Sequence, residues 1–246
     1  MARSGTAAAQ LTARRRRWRG MYVLASGEEL AELPEAVVGR MREAVARGMP
    51  VEVLVLDHTV DAAPAPLPDG VTVRRFWEDA APGDGAYVPG AALVGTATSV
   101  PVPGRDGGWV PGRYRDGLPT LALEKHPAGA RVEHYGPAGL PVRRDELDQN
   151  GALVRVIDLN SSGAEVAHRY FDGSGACWLS VGVRNGEPGR VVRQLPRPAQ
   201  YSGLAVAQAE WASRRVAAAV RPIVVSAGPT SSAVERHLRR RVLIRR

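Results

Sequence analysis

The chain has 246 residues, of which 44% are hydrophobic, and its formal net charge is +8 at pH 7. This apolar content is enough for one large domain or two small ones with a packed core, and it excludes a largely disordered chain. The single cysteine, Cys177, excludes an intramolecular disulfide, and no histidine and cysteine cluster has the spacing of a zinc site. We therefore expect a soluble protein of the cytoplasm that holds no metal or cofactor of its own.

Arginines at the two ends of the chain supply much of the positive charge. They form runs at 14–17 and 239–241, with further arginines at 19, 245 and 246. Residues 1–19 predict a basic disordered tail, and we interpret both ends as solvated, with a membrane surface or another phosphate-rich partner as the alternative. Nucleic-acid binding is not expected, because no recognition helix or RNA-binding signature accompanies the arginines. No apolar run approaches the ~18 residues of a membrane helix.

Residues 20–112 predict the first part of a Rossmann-like layer. The predicted elements are a strand at 21–25, a helix at 33–45, a strand at 51–56 and a third strand at 71–76. The helix has its apolar residues on one face, and Gly48 is placed to end it. The first two strands are expected to be parallel, because a β-α-β unit joins parallel strands by a right-handed crossover. The segment 80–112 is rich in glycine and proline and is expected to be irregular.

Residues 113–197 predict an antiparallel β-meander inserted into that layer. Four turn signals, whose closing glycines lie 12 residues apart, occur at 136–139, 148–151, 160–163 and 172–175. An Asp or Asn that opens such a turn accepts hydrogen bonds from the following backbone, and the closing glycine takes the positive φ of a hairpin. Between the turns the side chains alternate between two faces, as at 153–159. Strands joined successively by tight hairpins form an antiparallel sheet.

Residues 198–246 return to the helical period. Val206, Ala209, Ala212 and Val216 fall on one helical face, a short apolar strand follows at 223–226, and a last helix begins near Pro229. The element order is therefore β-α-β, meander, α-β-α. This order predicts an α/β fold in which a Rossmann-like half is interrupted by an antiparallel β-meander insertion.

The sequence contains no motif that identifies a reaction. No GxGxxG follows the first strand, and Walker, GxSxG and HExxH motifs are absent, so the sequence assigns no catalytic residue. Tyr170, Phe171 and Trp178 flank one predicted hairpin, and together with His168 they are candidate acceptor-binding residues, because flat rings suit the C–H faces of sugars. Cross-strand aromatic packing is the competing interpretation of the rings, and a packing or surface role is the competing interpretation of His168.

The meander resembles the inserted β-domain of retaining, family 4-type GT-B glycosyltransferases. The segments that carry the resemblance are 131–135, 148–159 and 168–180, followed by Trp211 and the returning segment 221–226. The similar enzymes are poly(glycerol-phosphate) α-glucosyltransferases, wall teichoic acid α-glycosyltransferases, serine-rich adhesin glucosyltransferases and their actinobacterial relatives. The resemblance implies that this chain is the N-terminal, acceptor-side half of a GT-B fold.

Two departures from the family bear on activity. Ala227 stands where the family leads us to expect an acidic residue, and no part of the sequence supplies the second Rossmann domain that binds a UDP-sugar. The resemblance therefore implies a truncated hexosyltransferase-like protein, inactive as an isolated chain, that acts on a polyol-phosphate polymer or a protein. Its expected partner is a donor-domain protein or a second copy of itself. The alternative function is a non-catalytic module that binds a glycan, a polyanion or a protein partner.

Overall fold

The computed structural model describes residues 20–61, 63–79, 100–104, 107–217, 219 and 221–243. The predicted basic tail, 1–19, and most of the segment expected to be irregular, 80–112, lie outside the described residues. In chain order the elements are β1 (Met21–Ala25), α1 (Gly27–Ala31), α2 (Glu35–Ala46), β2 (Val51–Val55), β3 (Val71–Arg75), α3 (Phe76–Asp79), β4 (Val100–Pro103), β5 (Trp109–Arg115), β6 (Leu118–His126), β7 (Gly129–Tyr135), β8 (Pro141–Leu147), β9 (Leu153–Leu159), β10 (Glu165–Phe171), β11 (Cys177–Arg184), β12 (Glu187–Arg193), β13 (Ala199–Tyr201), α4 (Leu204–Val216), β14 (Ile223–Ser226) and α5 (Pro229–Leu243). None of the described helices combines the length and the apolar character needed to cross a membrane.

The first sheet is the predicted Rossmann-like half. Its four strands are all parallel and lie in the order β14-β1-β2-β3. Apolar residues dominate β1 and β2, and all five residues of β1 are buried, as parallel strands covered on both faces require. Val37, Met41 and Ala44 of α2 join the same core at helical spacing, together with Ala212 of α4 and Leu238 of α5. The predicted α/β class and the parallel pairing are confirmed.

The second sheet is the meander, and it has ten strands in sequential order from β4 to β13. It extends from Val100 to Tyr201, whereas the sequence predicts the insertion at 113–197. The two additional strands at its start, β4 and most of β5, fall in the segment expected to be irregular. Pro101 and Pro103 lie in β4, and a proline is tolerated there because β4 is an edge strand, paired with β5 alone among the strands that the structure describes.

The four predicted turns are hairpins of one construction. In each, the opening residue donates its backbone N–H to the carbonyl four residues further on, and the closing glycine donates to the carbonyl of the opening residue. Asp148, Asn160 and Asp172 also accept two backbone N–H groups each through a side-chain oxygen. The closing glycines have φ between 72° and 82°, in the left-handed region that favours glycine. The regular spacing of the turn signals thus predicted the hairpins correctly.

Aromatic rings join the two sheets. The pairing between β10 and β11 shifts by one residue, which leaves Trp178 as the extra residue of a β-bulge. The Trp178 ring lies 5.4 Å from that of Phe76 and 6.3 Å from that of Tyr170, measured between centroids. Phe76 also packs edge-on against Trp211 of α4 at 5.6 Å. Because a bulge changes the direction of a side chain, this irregularity places Trp178 in the core that lies between the parallel sheet and the meander.

A row of charged side chains crosses the middle of the meander. Glu124, Arg131, Glu146 and Arg155 are direct cross-strand neighbours from β6 to β9, and their charges alternate. Arg155 donates to Glu146 at 2.7 Å, and Arg131 lies 3.6 Å from the same carboxylate. Alternating charges in adjacent strands stabilise the pairing, so the row fixes the register of four strands. The row of charges also contacts the loop after β2, because the guanidinium of Arg131 donates a hydrogen bond to the carboxylate of Asp61 at 2.8 Å.

Candidate functional site

A cleft lies at the carboxyl ends of β1, β2 and β3, where open α/β sheets bind their ligands. Gly27 follows β1, residues 57–59 follow β2, and Arg75 and Trp77 lie at the end of β3 and in α3. The turn between β8 and β9, at 148–150, forms the opposite wall. We call this space the strand-end cleft. It brings together loops of the parallel sheet and a hairpin of the meander, which are far apart in the sequence.

His58 is a buried titratable side chain in the strand-end cleft. It is 5% exposed, and its ring packs edge-on against Trp77 with 5.2 Å between the centroids. Burial lowers the pKa of His58 to about 4, so its imidazole is neutral at pH 7. The Nε2 atom is buried and has no hydrogen-bond partner among the described residues. An unpaired ring nitrogen beside a cleft is a group that a ligand hydroxyl can satisfy.

Asp57 fixes the loop that follows β1. Its Oδ1 accepts the backbone N–H of Gly27 at 2.6 Å. Burial raises the pKa of Asp57, and the hydrogen bond from Gly27 opposes part of that rise. A Cβ atom on Gly27 would lie 2.4 Å from Cγ2 of Thr59, so a larger residue would push the two loops apart. The close approach of these loops therefore requires glycine at this position.

Glu29 occupies further backbone amides at this end of the sheet. Its Oε2 accepts the N–H of Ser26 at 2.8 Å, as part of a capping box on α1. Its Oε1 accepts the N–H of Thr230, in the first turn of α5, at 2.8 Å. Nucleotide-binding α/β proteins use amides at such loops and helix starts to hold phosphate. In this chain the amides of Ser26 and Gly27 are already hydrogen-bonded to carboxylates of the chain itself.

The polar wall of the strand-end cleft is a meander hairpin with a fixed backbone. Asp148 accepts the backbone N–H of Asn150, while the side chains of Gln149 and Asn150 are exposed. The hairpin between β6 and β7 is attached to the loop after β2, because Ala128 donates its N–H to the carbonyl of Val60 at 3.2 Å. The cleft therefore has a rigid frame and exposed amide side chains at its rim.

The four candidate acceptor-binding residues do not form one surface. Tyr170 and Trp178 are each 1% exposed and pack in the core between the sheets. His168 is also buried, and its Nε2 lies 2.8 Å from Oε2 of Glu165. Phe171 is half-buried and follows Tyr170 in β10, so it lies on the opposite face of the strand. Among these four residues, Trp178 borders a pocket, which lies next to α4.

The residues that line the strand-end cleft were not predicted as site residues, although a signal for some of them exists. His58 lies two residues after the predicted strand at 51–56, and Arg75 and Trp77 lie at and just after the end of the predicted strand at 71–76. The rule that ligands bind at the carboxyl ends of such strands would have selected them. The hairpin at 148–150 was predicted only as a turn, because its approach to the parallel sheet depends on long-range packing. Among the described residues, no three His, Cys, Asp or Glu side chains are grouped to hold a metal ion.

The fold is shared with a known class of structures. A Rossmann-like half with an inserted antiparallel meander is the arrangement of GT-B glycosyltransferases that carry such an insert, and the resemblance to them seen in the sequence is confirmed at the level of the fold. No protein-family model matches the sequence, and no curated protein matches it. The evidence for the likeness is therefore structural and concerns the fold.

Particular solved structures share this fold. TarM from S. aureus, as a G117R mutant in complex with Fondaparinux, α-GlcNAc-glycerol and UDP, matches with a TM-score of 0.59 and 10% identity, over 88% of this chain and 47% of TarM. A second TarM structure gives a TM-score of 0.58 and 10% identity, over 90% and 48%. The Glycosylation Associate Protein (Gap123) complex from Streptococcus agalactiae gives 0.59 and 9%, over 84% and 46%. This chain spans about half the length of each of these chains.

Proposed function

We propose that this chain is the acceptor-side half of a retaining glycosyltransferase and that it binds a glycan or polyol-phosphate acceptor in the strand-end cleft. The observation that carries the proposal is the neutral, buried His58, whose Nε2 has no partner among the described residues and which lines a cleft at the carboxyl ends of parallel strands. The similarity to TarM supports it, since one TarM structure contains UDP and α-GlcNAc-glycerol. A sugar transferase needs such a hydroxyl-binding site for its acceptor.

The groups of the strand-end cleft match a hydroxyl-rich acceptor. Neutral His58 and the carboxyl group of Asp57 accept hydrogen bonds from hydroxyls, and the amide of Gln149 both donates and accepts. Trp77 offers apolar ring surface to the C–H face of a sugar or polyol. Arg75 pairs with Glu78 of the same cleft at 3.2 Å through Nη1, and another N–H of its guanidinium can donate one charge-assisted hydrogen bond to a phosphate of the acceptor. His58 is in this proposal a positioning group that holds the acceptor hydroxyl.

The proposed reaction joins the acceptor hydroxyl to C1 of a UDP-sugar with retention of configuration. The bond from C1 to the UDP oxygen breaks, UDP leaves with its electron pair, and the hydroxyl gives up its proton. Basic groups of a donor-binding domain would stabilise the leaving diphosphate. Because the chain covers about half of TarM, we propose that this domain belongs to a partner protein or to a further part of the same enzyme. A homodimer is the other assembly that we propose, and the cytoplasm is the proposed compartment.

A non-catalytic binding module is the alternative, and one observation favours it. The amides of Ser26 and Gly27, at the loop where a donor phosphate would approach, are occupied by the carboxylates of Glu29 and Asp57. A chain that keeps the acceptor cleft and fills its phosphate-facing amides could bind a glycan or polyanion, or a protein partner, without transferring sugar. In that case the arginine-rich ends would serve as a further contact with an anionic surface, such as a membrane.

Two neighbouring arginines of β3 provide the test of the cleft. Arg75 lines the strand-end cleft, whereas Arg74 precedes it, points to the other face of β3 and is exposed. We expect Arg75→Gln to weaken the binding of a glycerol phosphate oligomer about tenfold, as loss of one charge-assisted hydrogen bond implies. Arg74→Gln should leave the affinity unchanged. Isothermal titration calorimetry gives both values, and equal affinities for the two variants would exclude the cleft as the acceptor site.

A further inference from the structure

A second pocket lies on the opposite side of α3 from the strand-end cleft. Its walls are aromatic, with Phe76 and Trp178 from the core and Trp211 of α4, and Arg193, Arg197 and Arg214 line it as well. We call it the aromatic pocket. Phe76 of α3 lines the aromatic pocket, whereas its neighbour Trp77 lines the strand-end cleft. The two pockets therefore meet at consecutive residues of α3 and share no lining residue.

Positive charge exceeds negative charge at the aromatic pocket. Glu210 is the carboxylate of this cluster, and it pairs with three guanidinium groups, those of Arg193 at 3.2 Å, Arg214 at 2.6 Å and Arg241 at 3.3 Å. Arg197 is exposed on the same pocket, and it has no ion pair within the described part of the chain. Three of these arginines line the pocket, whereas Arg241 contacts Glu210 from outside it, so the three against Glu210 leave an excess of two positive charges. A solvated dianion can approach such a cluster without displacing Glu210.

Trp178, which borders the aromatic pocket, carries a buried donor that lacks an acceptor among the described residues. This donor is the N–H group of its indole ring. Buried N–H groups normally have a partner, so an unpaired one beside a cavity marks a place where a ligand oxygen can bind. The cavity measures about 290 Å³, at the lower end of the range for small-molecule sites, roughly 300 Å³ and above. This volume and the aromatic walls suit one sugar ring, and the arginines suit a phosphate attached to it.

We propose that the aromatic pocket binds a phosphomonoester with a sugar-sized body, such as a hexose phosphate. The guanidinium groups of Arg197 and Arg214 hold the phosphate, and the body packs against the small parts of the buried Trp178 and Trp211 side chains that border the pocket. A phosphomonoester carries close to two negative charges at pH 7, which matches the excess of arginine better than a single carboxylate does. This inference does not depend on the proposed acceptor site, because the two pockets share no lining residue.

The test is a binding titration of the full chain, followed by tryptophan fluorescence, since Trp178 and Trp211 line the pocket. The probes are glucose 6-phosphate, glucose and inorganic phosphate. We expect glucose 6-phosphate to bind, and Arg197→Gln and Arg214→Gln each to weaken it about tenfold. Both arginines are well exposed, so the variants should keep the thermal midpoint of the parent. Arg184→Gln, an exposed arginine of β11 outside the pocket, is the matched control and should bind like the parent.

Several results would overturn the proposal. They are the absence of saturable binding in the millimolar range, equal affinity for glucose or for inorganic phosphate, and an effect of Arg184→Gln as large as that of Arg197→Gln. Loss of binding in Arg75→Gln with no loss in Arg197→Gln would assign the sugar phosphate to the strand-end cleft and likewise exclude the aromatic pocket. A second titration, with a glycerol phosphate oligomer that ends in a phosphomonoester, distinguishes whether the phosphomonoester belongs to a polymer end or to a free metabolite. Tighter binding of the oligomer supports a polymer end as ligand, and tighter binding of glucose 6-phosphate supports a free metabolite.

Discussion

The guanidinium of Arg131, on β7 of the meander, donates a hydrogen bond to Asp61, in the loop after β2, with 2.8 Å between Nη2 and Oδ2. The side chain of Arg131 is 8% exposed, and it also lies 3.6 Å from the buried carboxylate of Glu146. His126 of β6 approaches Asp61 as well, at 3.0 Å. One loop carboxylate thus connects the parallel sheet to two strands of the meander. This bridge stands beside the strand-end cleft, whose polar wall the meander provides.

Replacement of Arg131 should destabilise the protein. Arg131→Met keeps the length of the side chain and leaves Asp61 and Glu146 with one fewer cation, so we expect a loss of about 2 kcal/mol in the free energy of unfolding. The control is Arg169→Met, which removes an arginine from a more exposed pair with Asp158 on the same sheet. That change should cost less than about 1 kcal/mol. Urea denaturation gives both values, and equal losses would show that the Arg131 bridge adds nothing beyond a surface ion pair.

The turn glycines should resist substitution because of their backbone alone. Gly163 closes the hairpin between β9 and β10 with φ of 78°, and a Cβ atom there would touch nothing within 4 Å. Gly163→Ala should therefore cost about 1 kcal/mol through left-handed strain only. Gly39 of α2 is matched, because a Cβ atom has open space there too, but its backbone is helical. Gly39→Ala should stabilise by about 0.5–1 kcal/mol, and thermal midpoints that move in the same direction would contradict the turn assignment.

Neutral His58 should make stability depend on pH. Its pKa is about 4 in the folded chain and about 6.5 in an unfolded one, so the unfolded state binds the extra proton in between. The free energy of unfolding that the buried, neutral His58 contributes is fully present above pH 6.5 and is lost as the pH falls toward 4. Between pH 7 and pH 5 we expect the parent to lose about 2 kcal/mol more than His58→Gln. Subtracting the pH profile of His58→Gln from that of the parent cancels the contributions of groups present in both proteins. These include Asp145 and Glu165, whose lowered pKa values place their titration at lower pH. Parallel pH profiles would mean that His58 is hydrated and not buried.

The purified 246-residue protein should not turn over a UDP-sugar. The amides of Ser26 and Gly27 are occupied by carboxylates, and the chain covers about half of the TarM fold. We expect no release of UDP from UDP-glucose or UDP-N-acetylglucosamine in the presence of a glycerol phosphate oligomer. TarM itself, assayed in parallel, is the positive control for the detection of UDP. Sustained UDP release by the isolated chain would contradict the proposal that it is an acceptor-side half.

The fold was predictable to the extent that it depends on local signals. The turn glycines and the period of two specify hairpins within a few residues, and apolar runs such as 51–56 specify parallel strands. The first two strands of the meander were not predicted, because prolines at a sheet edge look like a loop in sequence. The strand-end cleft depends on contacts between residues far apart in the chain, such as Asp61 with Arg131. The β-bulge that turns Trp178 into the core could not be predicted either, because the sequence reasoning assumed that side chains alternate strictly between the two faces of a strand.

Glu29 should be replaceable by an external anion. Its carboxylate accepts the backbone N–H groups of Ser26 and Thr230, each at 2.8 Å. The backbone at Gly228 also lies close to this carboxylate, since a Cβ atom there would be 2.6 Å from Oε1 of Glu29. Removing the carboxylate in Glu29→Ala leaves amides at the starts of α1 and α5 without an acceptor, which should cost about 1–2 kcal/mol. The vacated position combines free N–H groups with the positive end of the long helix α5, so it should attract phosphate.

Added phosphate should therefore restore part of the stability lost in Glu29→Ala. Glu28→Ala is the control, because Glu28 lies in the same turn of α1 and is exposed. Phosphate stabilises folded proteins in general, so the informative quantity is the rise in thermal midpoint of Glu29→Ala beyond that of Glu28→Ala at equal phosphate concentration. An excess that saturates with phosphate would show that Glu29 occupies an anion position of the fold. Equal rises in both variants would show that the carboxylate acts only as a helix cap, and the occupied amides would then no longer support a non-catalytic role.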